Sequence, residues 1–504
     1  MPVQPTYPGV YIEELPSGVR TITGVATSVT AFIGRTRRGS VDVPIRCLGL
    51  ADFERKCGGL WAESELGHSV RHFFGNGGSE ALICRVETGA TTSTAAIAAS
   101  GGGTALGLSA ANPGSWGGGL RASVSQGTPG SVDEASVGEF HLTIEEIDPS
   151  VLDPDAATIA REVFQHLSLD PEHGRYVARV LESESTLARV TSVPATVPVV
   201  TVRTPFSDAS DGGVGDDASY DAAIQRLELA DGFNMMVIPP PSRTSDASLS
   251  VLGTAAAFCL AKRAMLLVDP PSQWGDHEAA ASLSGGYASL RTPNTAFFFP
   301  RLVASDPLQE GRARALAPSG AIAGIYARTD ANRGVWKAPA GLDATLAGAQ
   351  GLTTLLSQAE SGVINAQGVN ALMMIPAAGP AVWGARTGRG ADVLASEWKY
   401  VPVRRLALHI EETLHRGTRW AVFEPNDERL WASLRQSIGT FMQQLFRQQA
   451  FQGSSPREAY FVACDASTTT PTDVLSGTVN IVVGFAPLKP AEFVVLKFQQ
   501  LAGQ

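Results

Sequence analysis

The 504-residue sequence has only five cysteines, and none of them stands in a CxxC pair. An odd number of scattered thiols argues against a disulfide framework and favours a reducing cytoplasm. Two of them, Cys47 and Cys57, are close enough in sequence to hold a metal together, but isolated buried thiols are the commoner arrangement. The others are Cys84, Cys259 and Cys464.

Long apolar runs and runs of basic residues are also missing. The most apolar stretch, 251–268, is interrupted by Lys262 and Arg263 and is too polar to cross a bilayer. The first residues lack the basic and apolar regions of a signal peptide. With 49 acidic and 39 basic side chains the formal charge is -10, which disfavours nucleic-acid binding because Lys and Arg must neutralise the phosphates. The short basic stretch 35–38 is interpreted as a solvated turn.

The common catalytic and ligand motifs are absent as well. The sequence contains no GxSxG of serine hydrolases, and the glycine-rich 75–78 is not followed by the GK[ST] of a phosphate-binding loop. The acidic 208–217 lacks calcium-loop spacing. His68 and His72 are four residues apart on a predicted helix without a third ligand nearby, which favours surface or half-buried histidines over a zinc site. We therefore expect no cofactor, no metal and no catalytic residue.

Alternating strand and helix patterns dominate what the sequence does contain, between frequent glycines (52) and prolines (31). This alternation favours a helix-flanked sheet, so we expect an α/β core formed by 23–90 and 206–400. The predicted strands are 23–34, 81–86, 234–238 and 264–268, and the predicted helices are 67–74, 220–229 and 251–263.

A change of composition separates the two parts of this core. Residues 88–130 are rich in Ala, Gly, Ser and Thr, as in linkers. Beyond them the patterns predict strands at 120–124, 140–147 and 175–181 and a helix at 156–167. We interpret 91–205 as an inserted α+β domain, which makes the chain an α/β and α+β multidomain protein.

The N-terminal arm, 1–22, is predicted to be extended. Its prolines exclude a helix, and Val10 and Ile12 alternate with Tyr11 and Glu13 as in a short strand. Such a strand has too little apolar surface to fold alone and needs the edge of another sheet. The proposed pairing residues are Tyr7, Pro8, Gly9, Val10, Tyr11, Ile12 and Glu13.

The C-terminal domain, 401–504, has the clearest patterns. A helix is predicted at 405–414, and a second begins at an Asx cap near 426. On the second helix, Leu430, Leu434, Ile438, Phe441 and Leu445 form one apolar stripe. Strands are predicted at 459–464, 478–485 and 492–498. The last strand contains Glu492, Phe493, Val494, Val495, Leu496 and Phe498.

Several runs of residues resemble tail sheath proteins of contractile phages and phage-like injection particles. In the C-terminal domain these are 420–431 (WAVFEPNDERLW) and 489–493 (KPAEF). Upstream they are 324–330, 334–340 and 382–387. In addition, 7–14 is similar to the family's N-terminal arm, and 112–117 (NPGSWG) resembles the opening of its variable inserted domain.

The resemblance implies a structural protein without enzymatic activity. Subunits of the family stack as hexameric rings around an inner tube, and their terminal extensions pair as strands between neighbours. The sheath contracts and drives the tube through a target envelope. The implied partners are further copies of the chain, the inner tube protein, and baseplate and terminator or cap proteins. Assembly is expected in a bacterial cytoplasm, as part of a phage tail or phage-like particle.

The resemblance also assigns positions within a sheath. The inserted domain is expected on the outer surface, and the C-terminal domain is expected to face the tube. Polar residues beside the apolar stripe could contact the tube, with a solvated helix face as an equal alternative. They are Arg435, Gln443, Gln444, Arg447 and Gln448. Two other classes of protein stay open at this point, an α/β hydrolase-like enzyme and a non-contractile structural lattice protein.

Overall fold

The computed structural model describes residues 20–126, 138–148, 151, 158–193 and 198–493. The first part of the core comprises β1 (Thr30–Gly34), β2 (Ile45–Cys47), α1 (Leu50–Cys57), α2 (Leu66–Gly75) and β3 (Ala81–Arg85). A module follows, with β4 (Thr94–Ala98), β5 (Thr104–Ala110), β6 (Leu120–Ser125), β7 (Glu139–Ile147), β8 (Thr158–Ser168), α3 (Val177–Glu184), β9 (Ala188–Ser192) and β10 (Thr201–Pro205).

The core resumes with α4 (Asp217–Gln225), β11 (Met235–Val237), α5 (Leu249–Ala261), β12 (Met265–Val268), α6 (His277–Ala281), β13 (Thr295–Phe299), β14 (Leu302–Asp306), β15 (Arg312–Leu316), α7 (Ser319–Arg333), β16 (Ala349–Leu352), α8 (Gln358–Ala366), β17 (Val369–Ile375) and β18 (Gly379–Val382). The C-terminal region contains α9 (Val401–Gly417), α10 (Glu428–Arg447), α11 (Pro456–Ala459), β19 (Tyr460–Ala463), α12 (Pro471–Leu475) and β20 (Val482–Phe485). Short 3₁₀ turns lie at Ser115–Gly119, Arg226–Leu229, Tyr287–Leu290, Pro307–Gln309, Asp392–Leu394 and Arg419–Ala421.

The core is an eight-stranded sheet in the order β18-β17-β13-β12-β11-β1-β3-β2. The six inner strands are parallel, and the edge strands β18 and β2 are antiparallel to their neighbours. Successive residues of β1 pack on opposite faces: Ala31 and Ile33 against α4 and α5, Phe32 against α2 and α7. Because both faces of the sheet are buried, the sequences of these strands are continuous apolar runs. The predicted helix-flanked sheet is confirmed.

The module at 94–206 has a hydrophobic core of its own. Its strands form one sheet in the order β10-β6-β7-β8 and another in the order β4-β5-β9. Trp116, Phe140 and Leu181 are buried between them. The strands that leave and rejoin the core lie side by side, because the backbone N–H groups of Thr94 and Ser207 each donate to the other's carbonyl (2.8 and 3.0 Å). Its position on the outside of an assembly stays a prediction.

Two elements predicted in this module are wrong. The segment 156–167, predicted as a helix, contains strand β8, which pairs antiparallel with β7. Cross-strand packing overrides the helix propensity of its Ala and Glu residues. The segment 175–181, predicted as a strand, leads into helix α3, where Val177, Val180 and Leu181 recur at helical spacing and are buried.

The C-terminal region is a pair of helices with a small sheet beside them. The rings of His409 on α9 and Phe441 on α10 lie 6.1 Å apart, and the predicted apolar stripe of α10 is buried. Asp427 accepts hydrogen bonds from the N–H groups of Arg429 and Leu430, which confirms the predicted Asx cap. Strands β19 and β20 pair antiparallel.

The terminal strands predicted from the sequence fall mostly outside the described residues. The structure does not describe residues 1–19 and 494–504. These ranges include the proposed pairing residues 7–13 of the arm and Val494, Val495, Leu496 and Phe498 of the last predicted strand. Glu492 and Phe493 are described, and they are not part of a strand. Within the described ranges, no helix has the length and apolar character needed to cross a membrane.

Candidate functional site: the assembly surfaces

The chain enters its described body beside the loop between α9 and α10. The Arg20 guanidinium lies over the Trp420 ring at 4.6 Å and 3.9 Å from the Glu424 carboxylate. Ile22 is buried in the same hydrophobic cluster as Leu406 of α9, so the last residue assigned to the arm belongs to the body. Any N-terminal extension therefore starts from this loop.

The C-terminal segment is fixed to the body by Glu492. Its two carboxylate oxygens accept hydrogen bonds from Nε and Nη2 of Arg386, at 2.8 and 2.7 Å. The Tyr400 hydroxyl donates to the same carboxylate at 3.3 Å. Arg386 is itself buried and also contacts Asp392 at 3.0 Å. Burial acts to lower the pKa of Arg386, but the hydrogen bond and charge of Glu492 raise it above its ordinary value.

The small β19–β20 sheet presents unpaired edges. It has only two strands within the described residues, so each strand lacks a partner on its outer side. Phe461 and Val482 on these strands are about half exposed. Two-stranded sheets are marginal in water, and unpaired edges are templates for strand addition.

The structure divides the five predicted tube-contact residues into three groups. Gln443, Gln444 and Arg447 line one concave face of α10, where the Tyr460 hydroxyl donates to Gln443 Oε1 at 2.8 Å. Arg435 turns away and donates to the Cys464 carbonyl at 2.5 Å. Gln448 lies on another side, in a groove that also contains Glu492. Contact with a tube stays a prediction.

The basic stretch 35–38 was interpreted as a solvated turn, and that interpretation is wrong. Arg35 is 5% exposed and donates to the Glu63 carbonyl at 3.2 Å. Arg38 pairs with Glu146 of the module at 2.6 Å. Arg38 therefore joins the module to the core, whereas Arg35 bonds residues outside the module. The signal available in the sequence was the position of both residues shortly after the buried strand β1.

The histidine and cysteine side chains considered as metal ligands lie in surroundings that indicate a structural role. His68 is buried, and its Nε2 lies 3.6 Å from a carboxylate oxygen of Asp306. Burial, with the charge of Arg314, lowers the pKa of His68 to about 4. The five cysteines are all buried and free. Across the described ranges, no group of three His, Cys, Asp or Glu side chains could hold a metal ion.

Part of the chain matches a known protein family. Residues 395–500 match the family described as the phage tail sheath C-terminal domain. No curated protein sequence matches the chain.

Among solved structures, a contracted sheath complex of an extracellular contractile injection system (PVC) is 22% identical, with a TM-score of 0.59, over 99% of this chain and 98% of its own. The contracted helical sheath of the anti-feeding prophage (AFP) is also 22% identical, with a TM-score of 0.59, over 98% and 99%. A sheath tail protein of Listeria innocua is 13% identical, with a TM-score of 0.62, over 93% and 96%.

The matched family and these structures are sheath proteins, which supports a structural role over the hydrolase alternative. The family match covers the region that contacts both Arg20 and Glu492, and the fold match extends over almost the whole chain. The resemblance inferred from the sequence is thereby confirmed. Residues 395–500 match the family described as the phage tail sheath C-terminal domain, and the chain as a whole has the fold of tail sheath proteins.

Proposed function

We propose that this protein is the structural subunit of a contractile sheath, in which hexameric rings stack around an inner tube. One observation carries the proposal. The region matched to sheath proteins contacts the chain near both of its ends, through Trp420 beside Arg20 and through Tyr400 beside Glu492. Terminal segments that begin beside this region are suited to linking neighbouring copies.

The links are strands exchanged between subunits. Residues 1–19 of one copy and 494–504 of another add to the β19–β20 sheet of a third copy. The unpaired edges of that sheet support this assignment, and backbone hydrogen bonds between strands provide affinity with little demand on side chains. Such ladders persist while the bodies rotate, so they act as hinges.

The concave face of α10 contacts the inner tube. From 436 to 449 this helix and its end contain no acidic residue, in a chain whose formal charge is -10. The face presents amide and hydroxyl groups together with Arg447. This composition fits a polar partner that must slide past when the sheath contracts. Baseplate and cap proteins end the polymer, and one matching structure is itself an AFP baseplate.

Contraction needs no nucleotide. The sequence has no phosphate-binding loop, so the work comes from a free-energy difference between two packings of the same folded subunits. A difference of about 2–5 kcal/mol per subunit, typical of conformational switches, becomes large when many subunits move together.

The test is deletion of residues 1–19, read by electron microscopy and circular dichroism. We expect folded subunits that build no long sheaths, because the segment supplies pairing between chains and no part of the described core. A matched variant with three Gly/Ser residues inserted between Ser17 and Gly18 should build sheaths that contract incompletely. Full-length contractile sheaths from the deletion variant would refute strand exchange.

A further inference from the structure

The loop between α9 and α10 presents an aromatic side chain to solvent. Phe423 is fully exposed, and its neighbour Val422 is 63% exposed. The backbone of Phe423 has a φ of 70°, in the left-handed region that bulky residues rarely adopt. A side chain that gains nothing from its own fold and stands on strained backbone points to a function outside the subunit.

Hydrogen bonds of the neighbouring residues constrain the backbone of this loop. Asn426 donates from Nδ2 to the Thr478 carbonyl at 3.0 Å, and its Oδ1 accepts from the Trp431 indole N–H at 2.9 Å. The Glu424 N–H donates to the Ala421 carbonyl at 3.2 Å. Phe423 is therefore preorganised, which lowers the entropy cost of binding.

A groove of about 1330 Å³ lies beside the root of the C-terminal segment. Its apolar lining includes Trp336, Met373, Trp383 and Phe493, of which Trp383 is 43% and Phe493 75% exposed. The groove is large enough for an aromatic side chain and the residues that flank it.

Basic side chains surround this lining. Arg333, Lys337 and Lys489 belong to the groove, and none of them forms an ion pair with a carboxylate of the described residues. The acid in the groove, Glu492, is already bonded to Arg386. The groove therefore favours an occupant that is both aromatic and acidic.

The loop of Phe423 has this composition. Glu424, Asp427 and Glu428 stand within five positions of Phe423, and 421–428 contains no basic residue. Glu424 meets Arg20 at 3.9 Å, and Glu428 meets Arg435 at 3.7 Å, both at exposed positions where such pairs contribute little. The carboxylates of Glu424 and Glu428 can therefore pair with basic side chains of a partner.

Loop and groove lie at opposite ends of the same helix. Helix α9 has 17 residues and so spans about 25 Å. The loop follows its C-terminal end, and Tyr400, which bonds Glu492 in the groove, precedes its N-terminal end. Within one subunit the two surfaces cannot meet. Between subunits they form a head-to-tail contact, the type that produces open helical polymers.

We propose that Phe423 of one copy inserts into this groove on a second copy, with its acidic loop against Arg333, Lys337 and Lys489. The contact rests on the proposed polymerisation of the chain. It adds a side-chain lock between subunits that is separate from the exchange of terminal strands.

Disulfide cross-linking of the assembled protein tests this contact. The full chain carries Phe423→Cys together with Trp383→Cys, is polymerised, and is then treated with a mild oxidant such as diamide. Because the native cysteines are buried, the two new thiols are the ones exposed for reaction. We expect a ladder of dimers, trimers and larger species on a non-reducing gel, since each chain links to two neighbours. The matched control is Leu475→Cys with Trp383→Cys, where Leu475 is 89% exposed. It should give no ladder.

Failure of this contact is distinguishable from failure of the proposed function. If electron microscopy shows polymers but no ladder forms, the groove holds another occupant, such as 494–504 or an N-terminal segment, and the lock is refuted. If no polymer forms from the unmodified chain, the proposed function and the lock both fail.

A truncation measures the strength of the contact. Phe423→Ser should raise the critical concentration for polymerisation roughly ten- to a hundredfold, as expected for exposing one buried aromatic side chain. Leu475→Ser should leave it unchanged. Equal effects of the two variants would overturn the proposal. So would normal polymerisation of Phe423→Ser with loss of the inner tube only, because that result would assign Phe423 to the tube.

Discussion

Arg386 and Glu492 are joined by two parallel hydrogen bonds, of 2.8 and 2.7 Å, across 106 positions of the chain. Arg386 lies in the turn after the edge strand β18, and Glu492 is one of the last described residues. The pair therefore fixes the position of Glu492 on the body. A bidentate arginine–carboxylate pair provides the geometric precision that such an anchor needs.

Glu492→Ala should therefore lower the free energy of unfolding. Removing one partner of a buried pair leaves the other charge uncompensated, and the expected loss is about 3 kcal/mol, partly offset by Asp392. Urea unfolding measures it. The control Glu310→Ala removes a carboxylate that is 89% exposed and should change stability by less than about 0.5 kcal/mol. Similar values for both variants would show that the anchor does not stabilise the fold.

Acidification should destabilise the subunit through its buried histidines. Burial lowers the pKa values of His68, His72 and His409 to about 4, below the ordinary value of 6.5. The unfolded chain therefore binds protons first, and stability falls as the pH drops from about 6.5 towards 4. Each histidine contributes about 1 kcal/mol of this loss by pH 5.5.

His409→Gln tests this pH dependence. Burial, with the charge of Arg405, depresses the pKa of His409, and its Nδ1 has no hydrogen-bond partner among the described residues. Urea unfolding at pH 7.0 and 5.5 should show a smaller difference for this variant than for the unmodified protein. The exposed His415 provides the control, since His415→Gln should keep the full difference. An unchanged difference in His409→Gln would contradict the assignment.

The inserted module should be removable without loss of the core. Neither hydrophobic cluster beside the eight-stranded sheet contains a residue from 95–206. Thr94 and Ser207 already pair, so a two-residue Asn-Gly turn can join them. We expect a folded protein by circular dichroism and tubes of normal inner architecture by electron microscopy. A folded variant that forms no tubes would place the module inside the contacts between subunits.

Much of the fold was predictable because its signals are local. Buried parallel strands such as β12 read as continuous apolar runs, and the stripe on α10 repeats at helical spacing. Strand β8 was missed because its identity depends on pairing with β7, which local propensity does not encode. The Arg386–Glu492 pair was not foreseen for a related reason, since nothing near either residue in sequence indicates the other.

The tube-facing surface was only partly predictable. Helical spacing identified a polar face on α10 but did not show that Arg435 bonds the Cys464 carbonyl or that Gln448 turns into the groove. Those outcomes depend on segments outside the helix. Phe423 was noticed only as part of a motif, because exposure of an apolar residue in a loop has no signature in sequence.

Arg447→Glu should weaken assembly of the sheath around its tube. Arg447 is exposed and lies on the concave face, whereas reversal of Arg435 would also disturb its bond to Cys464. Co-sedimentation with the tube should fall at low salt, and the difference from the unmodified protein should shrink at high salt because exposed charges are screened. Arg429→Glu, in the first turn of the same helix, is the control. Equal co-sedimentation of all three proteins at every salt concentration would leave α10 as core support only.

Electron microscopy of the purified full-length protein, polymerised without nucleotide, tests the central claim most directly. The account predicts hollow tubes of stacked six-membered rings, with β19 and β20 joined by strands from neighbouring copies. Around an inner tube they should exist in a long and a shortened form. Discrete particles at all concentrations, or shortening only after ATP is added, would contradict it.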